Sequence, residues 1–74
     1  MLYATDKEID MCKIMVKEEL ELRNLLKYKD KIDMIVEAVL NIIYSKGGDY
    51  SSAMIKSVVD TYFNYKMHIK IINN

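Results

Sequence analysis

The sequence predicts an all-α fold, a small three-helix bundle in which an antiparallel helical hairpin packs with a third helix. Three observations predict it. None of the 74 residues is proline. The only glycines are adjacent, Gly47 and Gly48, so helix breakers are confined to one place. Apolar residues recur at helical spacing, about 100° per residue, and not with strand alternation. A chain of this length forms a single helical domain over residues 1–74.

The first helix is expected over about 6–28. Thr5-Asp6-Lys7-Glu8 has the form of a capping box, a Thr hydroxyl at N-cap with a Glu at N3 reaching back. Asp6, Glu8 and Asp10 suit the positive end of the helix dipole. The polar sector holds Asp10, Lys13, Lys17, Glu21 and Asn24. The rest of the circumference carries two apolar stripes where a helix with one buried side needs one. One stripe is Ile9, Cys12, Val16 and Leu20; the other is Met11, Met15, Leu22 and Leu26, flanked by Ile14 and Leu25.

The polar stretch Lys27-Tyr28-Lys29-Asp30-Lys31 is read as a turn, with Asp30 as the next N-cap. Were it continuous, the fold would be one long helix plus a short one, stable only as an oligomer. The second helix, about 31–45, gathers Ile32, Ile35, Val36, Val39, Leu40, Ile42 and Ile43 on one face and Asp33, Glu37 and Asn41 on the other. Gly47 is a natural left-handed residue after its C-terminus. Asp49 or Ser51 caps a third helix, about 52–69, whose apolar face is Met54, Ile55, Val58, Val59, Tyr62, Tyr65 and Ile69. Phe63 and Met67 lie four apart beside that face. The core is expected where Met11, Met15, Leu22 and Leu26 meet Ile35, Val39 and Ile42, closed by Val58, Tyr62 and Tyr65.

Composition narrows the function. Hydrophobic residues make up 51% and the formal net charge is zero, which argues against disorder. Cys12 is the single cysteine, so no intrachain disulfide forms, as suits a reducing, cytoplasmic setting. The first ten residues hold three acids and no apolar run of a secretory signal. The longest uncharged run, Ala38 to Ser45, falls far short of the roughly 20 residues of a bilayer span. The polar faces lack the cationic character of a membrane-surface helix.

No motif supplies catalysis. Cys12 sits among apolar neighbours and reads as a small hydrophobe. His68, the only histidine, falls on the polar side of the last turn, where it suits the dipole. With Cys12 and His68 the only soft donors, no closed metal site is expected, and no cofactor motif is present. An enzyme is therefore not expected.

Helix 2, the Gly47-Gly48 link and helix 3 resemble a helix-turn-helix in outline, which makes a DNA-binding transcriptional regulator reading through helix 3 the alternative. The N-terminal part of helix 3 offers Ser51, Ser52, Lys56 and Ser57, with no Arg, Asn or Gln for bidentate base contacts. A nucleic-acid partner is disfavoured.

The leading expectation is a small protein-protein interaction module, a regulator acting as inhibitor or adaptor. Helix 1 has more apolar surface than a monomer of this size needs, and a marginal core gains from pooling with another chain. The stripe assigned to a partner protein, or to a second copy in a homodimer, is Ile9, Cys12, Val16 and Leu20, with Phe63 and Met67 on helix 3.

Overall fold

A computed structural model describes residues 4–67, with side chains through Tyr65. Three α-helices form a small bundle, and each touches both of the others. They are α1 (Asp6–Leu22), α2 (Ile32–Ser45) and α3 (Ser52–Thr61). A 3-10 segment, Leu26–Lys31, precedes α2, and a π-helical turn, Tyr62–Met67, continues α3.

The start of α1 follows its capping box. Thr5 Oγ1 accepts from the Glu8 backbone N–H at 3.2 Å, and Glu8 Oε1 accepts from the Thr5 N–H at 2.9 Å. The helix then ends earlier than expected. Asn24 adopts φ +58°, the left-handed conformation that Asn tolerates better than most residues. Its N–H donates to Glu21 O, and the Leu25 N–H donates to Leu20 O at 2.7 Å. These two bonds are a Schellman stop with asparagine where glycine is usual. Leu25 then packs back against the core. The chain therefore turns at Arg23-Asn24-Leu25, not at Lys27–Lys31, which is the 3-10 segment instead. Asp30 is not a cap: the N-cap of α2 is Lys31, with no side-chain hydrogen bond.

The face expected of α2 is the one it buries. Ile35, Val36, Val39, Leu40 and Ile43 lie inside, with Ile32 and Ile42 half-buried at the edges. A second Schellman stop closes α2, with Gly47 at φ +119° and the Gly48 N–H donating to Ile43 O at 2.9 Å. Ser51 caps α3, its hydroxyl accepting from the Met54 N–H, while Asp49 Oδ1 accepts from the Ser51 N–H. Tyr50, in the link, belongs to the core, and its buried hydroxyl has no hydrogen-bond partner among the described residues.

At the end of α3, Thr61 Oγ1 donates to Ser57 O at 3.0 Å, a back-bond of the kind that bends helices. The π turn begins at the next residue. Its i→i+5 bonding turns the chain through fewer degrees per residue than an α-helix does. Phe63, four residues after Val59, is in the core, edge-on to Tyr62 with centroids 6.1 Å apart. Tyr65, further into the π turn, is 65% exposed and closes nothing. The expected helical stretch at 68–69, and with it His68 and Ile69, lies outside the described residues.

Candidate protein-interaction surface

The orientation of α1 decides which apolar surface is left over, and it is the reverse of the expected one. Cys12, Val16 and Leu20 are fully buried against α2 and α3, and Ile9 packs on the same side half-buried. Phe63 is buried too. Cys12, Val16, Leu20 and Phe63 are core and present no surface to a partner in the folded chain, and Ile9 offers only a part of its side chain; the side chain of Met67 lies outside the described residues. The opposite stripe, expected inside, is the one on the surface. Leu22 is 81% exposed, Ile14 60% and Leu26 47%, while Met11 and Met15 are half-buried.

A carboxylate explains the choice. Ile9, Cys12, Val16 and Leu20 follow one another at helical spacing without a polar interruption. The run Met11, Met15, Leu22 is bridged on the helix surface by Glu18. Turning that stripe inward would bury Glu18 without a partner, at a cost of several kcal/mol.

Beside the exposed stripe, Met15, Glu18, Glu19 and Leu22 meet Lys56 and Asp60 of α3 across a shallow cleft of about 60 Å³. Near the C-terminal end of α1, Arg23 fastens α1 to the π turn. It pairs with Glu19 at 3.1 Å, donates from Nη2 to Asn64 Oδ1 at 2.8 Å, and lies 5.4 Å from the Phe63 ring centroid. Sequence reading missed this cluster, because nothing local links Arg23 to a residue of the third helix. On the other flank, Lys13 and Asp33 form a loose, exposed ion pair at 3.6 Å, of little energetic weight.

Between α2 and α3 lies an open groove of about 480 Å³, floored by Ile42, Met54, Val58 and Tyr62, with Lys46 on its rim. Burial pushes the Tyr62 phenol up from its ordinary range. Burial likewise pushes the Cys12 thiol up to about 11, which makes it a poor nucleophile. Among the described residues, no group of three or more His, Cys, Asp and Glu is placed to hold a metal ion. No described helix is long and apolar enough to cross a membrane.

Of the residues weighed for reading DNA, Ser51, Ser52, Lys56 and Ser57 are exposed. Lys56, their only cation, shares its cleft with Glu18, Glu19 and Asp60. Comparison with protein-family models, with curated proteins and with solved structures finds no match.

Proposed function

We propose that this chain is a small cytoplasmic protein-interaction module, an inhibitor or adaptor that buries the outer stripe of α1 against another protein. What supports the reading is the exposure of Ile14 and Leu22, flanked by Met11 and Met15, on a helix whose other stripe is already spent on the core. An exposed apolar row with a charged border is the usual mark of an association surface. A helix docked through such a row buries its apolar side chains in a partner groove. Fully burying one Leu or Ile is worth about 1.5–3 kcal/mol, so two such anchors and two methionines supply useful affinity.

Capture from the source cells tests the reading with three tagged chains: wild type, Ile14→Asp, and Met34→Asp as a control on the outer face of α2. The expected result is a partner held by wild type and Met34→Asp but lost with Ile14→Asp, all three giving the same circular-dichroism spectrum. A partner held equally by Ile14→Asp overturns the reading.

A further inference from the structure

The charges that border the α1 stripe have an order that points to its occupant. Lys7 and Glu21 each lie seven residues from Ile14, on opposite sides. Seven residues are two turns less about 20°, so Lys7, Ile14 and Glu21 stand nearly in line, with the two charges about 10 Å from Ile14 along the axis. On one flank of that line lie Asp10, one turn before Ile14, and Lys17, just under one turn after it. All of these charged residues are exposed, and none is in an ion pair among the described residues.

We propose that the outer face of α1 docks on the same face of a second copy of this chain, antiparallel, about a two-fold axis passing beside Ile14. The inference rests on the interaction-module reading above and names its partner. A two-fold axis perpendicular to the helices sets each residue opposite the one equally far on the other side of Ile14. Lys7 then meets Glu21 of the second copy, while Asp10, four residues before Ile14, falls within about one residue's rise of Lys17, three residues after it and on the same flank. Symmetry repeats both pairs, so four contacts of opposite charge surround the Ile14–Ile14 contact. A parallel arrangement sets Lys7 against Lys7 and Glu21 against Glu21, so the charge order selects the antiparallel one. The drift of about 20° per seven residues is absorbed by a crossing angle near +20°, the common angle of packed helices in bundles. Each copy offers the same patch, as closed two-fold dimers require.

Sedimentation equilibrium of the full chain from micromolar to millimolar concentration, with circular-dichroism melts, tests this. The expected result is a monomer–dimer equilibrium for wild type. Ile14→Asp should be monomeric with an unchanged melt. Glu21→Lys should weaken the dimer about tenfold, since it turns two attractive exposed pairs repulsive. Adding Lys7→Glu to Glu21→Lys should restore it. A wild-type monomer at every concentration overturns the second-copy partner, while the interaction reading is judged separately by the capture experiment. A dimer indifferent to Ile14→Asp, or a charge reversal that the double variant does not restore, overturns the proposed geometry.

Discussion

Arg23 donates to the side chain of Asn64 at 2.8 Å across 41 positions of sequence. The same guanidinium holds Glu19 and covers one face of the Phe63 ring. One side chain thus fastens the last turn of α1 to the π turn after α3. The planar fork of Arg does what an ammonium does not: it reaches two acceptors while lying over an aromatic ring. Arg23→Ala should destabilise the fold by about 2 kcal/mol, the sum of a charge-assisted hydrogen bond and a cation–π contact. Arg23→Lys should recover less than half. Urea unfolding reads the change as a lower midpoint, and a double-mutant cycle with Asn64→Ala should give a coupling of about 1 kcal/mol. Strict additivity of the two substitutions would show that the contact carries no energy.

Two neighbouring positions on α1 should respond in opposite ways. Val16 is fully buried and Ile14 is 60% exposed. Val16→Glu places an unpaired carboxylate in the core at a cost of several kcal/mol, against the roughly 3–5 kcal/mol that a single core of this size supplies. It should therefore unfold the domain, as Val39→Glu should on α2. Ile14→Glu should melt within a few degrees of wild type. Matched circular-dichroism melts decide, and a cooperative, near-native melt of Val16→Glu would mean that α1 is turned the other way.

The sequence made some features plain and hid others for physical reasons. The face of α2 and the stop at Gly47 were legible because β-branched residues at one helical phase and a glycine after a helix have few other readings. That α1 carries surplus apolar surface was legible too. Which of its stripes is the surplus was not read correctly, because the two are equally apolar by count. The distinction lies in Glu18 interrupting one of them. The stop at Asn24 was missed because it uses the second-choice residue for a left-handed position. The π turn, and with it the exposure of Tyr65, has no local signal. It accompanies the packing of Phe63 into the core and the grip of Arg23 on Asn64.

Asn24 gives a test of the α1 stop that is independent of side-chain packing. It is exposed, and its backbone sits at φ +58°. Asn24→Gly should be neutral or slightly stabilising, because glycine pays no Cβ penalty there. Asn24→Ala should cost about 1 kcal/mol, and a β-branched Asn24→Val more, near the 1–2 kcal/mol of a strained left-handed residue. Thermal melts ranked Gly, Asn, Ala, Val from most to least stable are the expected order. A chain in which Ala equals Asn would have α1 running on through this position.

Cys12 ties core burial to alkaline pH. Burial pushes its thiol from an ordinary 9.0 up to about 11, because a thiolate in the apolar core would be stripped of its hydration. The folded chain therefore keeps the thiol proton over a range where the unfolded chain has lost it. Stability from this group is fully present below about pH 9 and is lost as pH rises toward 11. The loss amounts to about 2–3 kcal/mol by the top of that window. Tyr62, also shifted up by burial, adds to the decline at its upper end. Cys12→Ala lowers stability at neutral pH by leaving a small cavity, but it removes the cysteine part of the slope. The gap between wild type and Cys12→Ala should therefore narrow between pH 9 and 11 in urea titrations. At pH 8, the native thiol should react with a disulfide reagent only as fast as the domain opens, so added urea should accelerate it. Rapid modification of the folded chain, with no dependence on urea, would place Cys12 on the surface and reverse the orientation of α1.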